Sequence, residues 1–409
     1  MRCRRLGLAA MAALLLSGCG LARQKAAGYY LSKARRTAEA RDPAPQELQA
    51  AFAYLDKALA YAPGSEAAVE VLGRLAEVSA NTGFQGAQEL QSAALRKALA
   101  GAPLNWAARE ALTDFYGARG DTGGLEAMAA QARELYGSQD PATRYCALLA
   151  ELEATASALP WIESEAYLSL NKSPETLFEK AASYTGVAAK VAGLKAELDR
   201  LNASDPSLKK RAPRELASAA EVAAADALKD PQGRAAIAAF SARTASDEAF
   251  RKAVEMTVRG NASLVKKDYP QARAFYRGAL AQFPGLIDAR RQLAETDFQE
   301  GASLAAAGEG GKEASRLLYK AYADSAAVIA EAGRTGNLIP FVGTARFLGE
   351  AYALKDASLA ALSAVEGRRL RGRARLEADF KASLDEALKL SPEGGLAREL
   401  LERYSKDGF

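Results

Sequence analysis

Lys57-Ala58-Leu59-Ala60-Tyr61-Ala62-Pro63 decides how the chain is read, because the sequence says it again. It returns as Lys97-Ala98-Leu99-Ala100-Gly101-Ala102-Pro103, as Gly278-Ala279-Leu280-Ala281-Gln282-Phe283-Pro284 and as Glu386-Ala387-Leu388-Lys389-Leu390-Ser391-Pro392. Each copy places Ala-Leu five and four residues before a proline. An apolar residue (Leu55, Leu95, Tyr276 or Leu384) stands three before that alanine. Steps of three and four residues mark one face of a helix. Proline lacks an N–H and clashes with the preceding turn, so a helix stops there or a new one opens. The phrase is a helix ending, written four times.

The pattern resembles the tetratricopeptide repeat, a helix–turn–helix unit of about 34 residues. The best copy covers 253–286. Gly260 stands at the small position where the two helices cross, Ala272 and Ala279 at the small packing positions, Tyr276 at the aromatic position and Pro284 at the terminal proline. Met256 and Arg259 replace the usual Trp and Leu, and Lys266-Lys267-Asp268-Tyr269-Pro270 supplies the turn. The resemblance implies an all-α chain: a tetratricopeptide-like α-solenoid of antiparallel helix pairs, irregular in the middle.

Composition agrees. The 409 residues are 49% hydrophobic, chiefly Ala and Leu, with Ile and Val too scarce for a large sheet. Asn105 to Pro141 reads as a further pair turning at Gly120-Asp121-Thr122-Gly123-Gly124. Pro160-Trp161 and Ser173-Pro174-Glu175 are expected to open helices. A long Ala- and Lys-rich helix is expected over 175–202, with breaks at Asp205-Pro206 and Asp230-Pro231 and a turn at Gly308-Glu309-Gly310-Gly311. The expected organisation is a leader over 1–18, an N-terminal helical repeat region over 19–204 and a C-terminal one over 205–409.

The leader reading comes from the first nineteen residues. Arg2, Arg4 and Arg5 precede an apolar run from Leu6 to Leu16, which ends in Leu16-Ser17-Gly18-Cys19. The run is shorter than the roughly 20 residues needed to span a bilayer. Its ending resembles a bacterial lipobox. The resemblance implies cleavage before Cys19, acylation of that cysteine, and, with Gly20 following rather than Asp, residence on the periplasmic face of the outer membrane. Loss of the three leader arginines lowers the formal net charge of +4 by three. No global basicity then argues for nucleic acid. Of the remaining cysteines, Cys146 is expected to be a small buried hydrophobe.

The absence of histidine excludes Ser-His-Asp and Cys-His devices and His-ligated metal sites. No cofactor or metal is expected. Tetratricopeptide arrays are binding scaffolds whose first helices line a groove for a peptide or partner helix. In the best copy the groove-lining spacing falls on Val254, Thr257, Asn261, Leu264 and Val265. In family members that clamp peptides, an Asn placed as Asn261 bonds the ligand, and its amide offers both a donor and an acceptor. A second candidate is Arg368, Arg371 and Arg375, which share a helical face and suit carboxylate or phosphate. The expected function is a non-enzymatic, membrane-anchored periplasmic scaffold for a protein or peptide partner. The alternatives are an accessory lipoprotein of TRAP-type periplasmic solute uptake and a cell-wall-acting enzyme using two carboxylates.

Overall fold

The computed structural model describes residues 2–308, 311–332, 338–367 and 374–407. The described residues hold α-helices and short 3-10 turns and no strand. The chain divides into two compact units. The first takes residues 1–161 and 187–229, the second 162–186 and 230–409.

The first unit contains α1 (Arg2–Ala38), α2 (Pro45–Tyr61), α3 (Glu66–Asn81), α4 (Ala87–Gly101), α5 (Trp106–Arg119) and α6 (Thr122–Glu134). It also takes most of α7 (Pro141–Ser169), the end of α8 (Pro174–Ser204), α9 (Ser207–Arg211) and α10 (Arg214–Leu228). The second unit takes the end of α7 and the start of α8. It continues through α11 (Pro231–Ser246), α12 (Glu248–Val265), α13 (Tyr269–Gln282), α14 (Ile287–Ala306), α15 (Gly311–Ala332), α16 (Thr344–Val365), α17 (Ala374–Leu390) and α18 (Gly395–Asp407). Along α1–α5 helices pack on their chain neighbours and on the next but one; along α12–α18 they pack on their chain neighbours, and α12, α14, α16 and α18 also pack on one another in turn. That is how a stack of antiparallel hairpins buries its apolar faces. No helix of the described residues is long and apolar enough to cross a membrane.

The four echoes are four copies of one joint. Helices α2, α4, α13 and α17 each end two residues before the proline, and the next helix starts three residues after it. The residue before proline is forced out of the helical region. Accordingly Ala62, Ala102 and Phe283 take φ of −138°, −145° and −142°. Leu55, Leu95, Tyr276 and Leu384 are all buried, as are Ala58, Ala98, Ala279 and Ala387. In the first unit one joint rests on the next. Asn105 caps α5 by accepting from the Ala108 N–H, and its Nδ2 donates to the Pro63 carbonyl at 2.8 Å. In the second unit a Cβ placed on Gly260 would lie 2.5 Å from the Tyr276 ring, so α12 and α13 cross as closely as the repeat requires.

The turn at Gly120 is also present: Gly120 has φ +66° and the Asp121 side chain caps α6. Trp161 seals it, donating from Nε1 to the Gly117 carbonyl at 2.7 Å. One expectation is corrected. Pro160 does not open a helix but lies inside α7. The turns before it are buried almost without interruption from Tyr145 to Leu159, while Pro160 and Trp161 themselves are exposed. Burial of the preceding turns outweighs the one backbone bond that a proline removes.

Candidate functional site

In the second unit, α12, α14 and α16 are the first helices of the successive pairs α12–α13, α14–α15 and α16–α17. A cavity of about 840 Å³ runs along them. Helix α12 and its following turn supply Asn261, Leu264, Val265 and Lys267; α14 supplies Arg291, Gln292, Glu295 and Gln299; α16 supplies Arg346, Gly349, Glu350 and Ala353. Spacings of three and four residues put each set on one helical face. The joint after α17, Ser391 to Ala397, closes one side, and Asn171 from the turn between α7 and α8 closes another.

The wall carries both signs of charge. Arg346 donates from Nε to Glu350 Oε1 at 3.0 Å and from Nη2 to the Tyr167 hydroxyl at 3.1 Å, with its guanidinium 5.4 Å from the Tyr167 ring centre. The bond to Glu350 is the main reason its pKa is held above the usual guanidinium value. The other oxygen of Glu350 faces Arg291 Nη1 at 3.4 Å. The Arg291 side chain is 12% exposed, and its Nε is buried with no hydrogen-bond partner among the described residues. Two guanidinium groups therefore flank one carboxylate, which leaves this stretch of wall an anion acceptor. On the next turn of α14, Gln299 Nε2 donates to Glu295 at 2.7 Å. Amides, guanidinium groups and carboxylates at close spacing match the alternating donors and acceptors of a peptide backbone with polar side chains. Among the described residues no cluster of three or more His, Cys, Asp or Glu could hold a metal ion.

The expected groove residues divide. Leu264 and Val265 border the cavity, and Val265 is 70% exposed. Asn261 also borders it, but both ends of its amide are engaged by its own chain. Its Nδ2 donates to the Leu170 carbonyl at 2.8 Å, and its Oδ1 accepts from the Tyr276 hydroxyl at 2.8 Å. Val254 and Thr257 are corrected as partner contacts: both are buried, and Thr257 donates its hydroxyl to the Ala253 carbonyl. Helices α11, α13 and α14 all pack on α12. The turn between α7 and α8 also meets α12 through the Leu170 carbonyl on Asn261, and on α8 the Phe178 ring lies 5.4 Å from the Arg251 guanidinium. Arg368 and Arg371 lie outside the described residues. Arg375 falls within α17 and Cys19 within α1, but the side chains of both also lie outside them. The residues missed in the sequence are those of α14 and α16. The signal was available: Pro284 marks where α14 must begin, so Arg291, Glu295 and Gln299 follow at i, i+4 and i+8.

The first unit holds buried acids instead. Burial alone would raise the pKa of Glu151, but hydrogen bonds from Lys190, Tyr136 and Arg133 hold it below the usual value. Two residues on, Glu153 is 2% exposed and neither of its oxygens has a hydrogen-bond partner among the described residues. Burial, reinforced by Asp114 and Glu110, pushes it up to about 9. Cys146 is buried as expected, and burial pushes its thiol up to about 11. That is an inert thiol.

No family model matches the sequence, and no curated protein matches it. Among solved structures it is similar to the crystal structure of the APC/C hetero-tetramer Cut9–Hcn1. The identity is 14%, the match covers 88% of this chain and 93% of that one, and the TM-score is 0.14. The tetratricopeptide-like architecture rests on the helix pairing and the four joints described above.

Proposed function

We propose that the chain is a non-catalytic scaffold that holds a peptide segment of a partner protein in the cavity along α12, α14 and α16. The observation that carries this reading is the cavity itself, which lies on the first helices of three consecutive pairs and is lined by both donors and acceptors. Glu350, the carboxylate best placed in it, is paired with Arg346 and Arg291, which favours recognition over acid–base chemistry.

We further propose that Cys19 is acylated after cleavage of residues 1–18, so that the scaffold works at the periplasmic face of the outer membrane. Support comes from the order of basic residues, apolar run and Leu16-Ser17-Gly18-Cys19. Cys19→Ser should move the protein from the membrane fraction to the soluble fraction; unchanged sedimentation with membranes would remove the anchor.

The cavity is tested in the cell with a photo-crosslinking residue at Gln292 or Gln299, set against one at Tyr319 on α15. Tyr319 is exposed and lies outside the cavity. A discrete adduct from the two cavity positions and none from Tyr319 is the expected result. Equal adducts from all three positions would refute the cavity as the binding site.

A further inference from the structure

Helix α1 has two unlike faces. Ala27, Ala34 and Ala38 are buried, and Leu31 packs against the core of the first unit beside them. Steps of seven and four residues put these alanines on one side, and their small size lets α1 lie close on α2. The opposite side carries Leu21, Lys25, Tyr29 and Arg36, again at steps of four and seven. All four are exposed, Leu21 at 60% and Tyr29 at 57%. Apolar and aromatic groups of this size facing water on a helix already packed on its other side are an unpartnered surface.

The charge of that surface is one-sided. Lys25 and Arg36 lie on it, Lys33 and Arg35 flank it, and no acid occurs from Gly20 to Ala38. None of the four arginine and lysine side chains Arg23, Lys25, Arg35 and Arg36 forms an ion pair among the described residues. Lys33 instead lies 5.7 Å from the Tyr29 ring centre. Tyr30, by contrast, turns toward α2, where it stacks on Tyr61 at 6.0 Å with planes 4° apart and fixes α1 on its packed side. A tyrosine and long cationic side chains beside a leucine suit the boundary of a bilayer. The ring and methylene stems enter the headgroup region, and the cations meet lipid phosphates.

We infer that the outer face of α1, from Leu21 to Arg36, docks flat on an anionic phospholipid surface. It would be a second membrane contact beside the acyl group on Cys19. This inference rests on the lipoprotein reading for its location, since Cys19 immediately precedes the helix face. At 1.5 Å per residue the face is about 22 Å long, enough to lie along the leaflet rather than touch it at a point. An acyl chain fixes a position but not an orientation. A cationic, aromatic helix joined to it holds the first unit with α1 against the lipid.

The test uses the chain of mature length, residues 19–409, with Cys19→Ser so that no acyl group contributes. It is mixed with phosphatidylcholine vesicles, with and without phosphatidylglycerol, and the vesicles are sedimented. The protein is expected to sediment with the phosphatidylglycerol vesicles at low salt, to stay in solution with pure phosphatidylcholine, and to be released by high salt. A cation near an anionic leaflet contributes roughly fivefold in partitioning. Lys25→Glu with Arg36→Glu should therefore lower the partition coefficient by about 25-fold or more. Tyr29→Ser should lower it by a few-fold. Circular dichroism and melting should be unchanged in both variants, because these side chains face solvent. Equal partitioning onto neutral and anionic vesicles, or no effect of charge reversal, would overturn the proposal. So would a concentration-dependent dimer in analytical ultracentrifugation that the charge-reversed variant loses, since a second copy would then cover the face. Metabolic acyl labelling of the wild-type protein is read separately. Loss of label at Cys19 with vesicle binding retained ends the anchor reading alone; label retained with no vesicle binding ends this proposal alone.

Discussion

Helices α12 and α14 are both first helices of a pair, two positions apart in the same stack, yet their exposed histories differ. The inner face of α12 is closed by its own chain: Val254 and Thr257 are buried, and Asn261 is held between Leu170 and Tyr276. The corresponding face of α14 is open, and Arg291, Gln292, Glu295 and Gln299 look into the cavity. The copy that best matches the repeat has become part of the structural core, and the cavity is lined chiefly by its less regular neighbours. A groove residue that grips a backbone carbonyl does so whether that carbonyl comes from a ligand or from the same chain. On α12 it comes from the turn between α7 and α8.

The largest expected effect follows from that difference. Asn261→Ala strips partners from the Leu170 carbonyl and from the hydroxyl of fully buried Tyr276. Each orphaned buried group costs about 1–3 kcal/mol, so a loss of roughly 3 kcal/mol is expected in denaturant unfolding. Gln292→Ala, one stack further on, should stay within about 0.5 kcal/mol because nothing buried depends on it. Similar losses at both positions would dissolve the contrast between a closed and an open face.

The sequence made the architecture readable because the joint leaves covalent marks. Proline stops a helix whatever surrounds it, and the Ala-Leu pair with its upstream apolar residue needs a neighbour to cover it. The turn at Gly120, the break at Asp230-Pro231 and the long helix α8 were visible for the same local reasons. Pro160 was misread because the burial of the turns before it, from Tyr145 to Leu159, carries α7 through the proline, and no local rule contains that burial. The site was readable only in part. Leu264 and Val265 fall on the cavity by periodicity, but Val254 and Thr257 are covered by packing, and Asn261 is taken up by the Leu170 carbonyl some 90 residues away along the chain. Periodicity finds a helix face and is silent about what lies on it.

The next effect concerns pH. Asp288, in the first turn of α14, is buried and accepts from the Ile339 N–H at 2.9 Å. Burial pushes its carboxyl up to about 6, against the opposing pull of that hydrogen bond and of Arg291. An acid raised in the folded state keeps its proton there after the unfolded chain has released its own. Stability from this group is therefore lost as pH rises from about 4 to about 6, and the penalty is complete above that window. Asp288→Asn keeps an oxygen for Ile339 and removes the ionisation. The variant should match wild type near pH 4 and exceed it by about 1–3 kcal/mol at pH 7. A parallel pH profile for the two proteins would show that Asp288 ionises as freely folded as unfolded.

The smallest effect on stability should accompany the largest on binding. Arg346 is bonded to Glu350 and Tyr167, but about half of its side chain meets solvent. Exposed pairs contribute about 0–1 kcal/mol, so Arg346→Ala should barely shift the unfolding midpoint. It also leaves Arg291 as the only guanidinium beside Glu350, turning a wall that accepts anions into one that is neutral. Crosslinking from Gln299 should then fall to the background seen from Tyr319, while Arg346→Lys, which keeps the charge but not the fork, should retain part of it. Asn261→Ala predicts the opposite pairing, a large loss of stability for a side chain whose amide is already engaged and has no free end to offer a partner. If Arg346→Ala were the variant that unfolded and Asn261→Ala the one that lost the adduct, the closed and open faces would have been assigned the wrong way round.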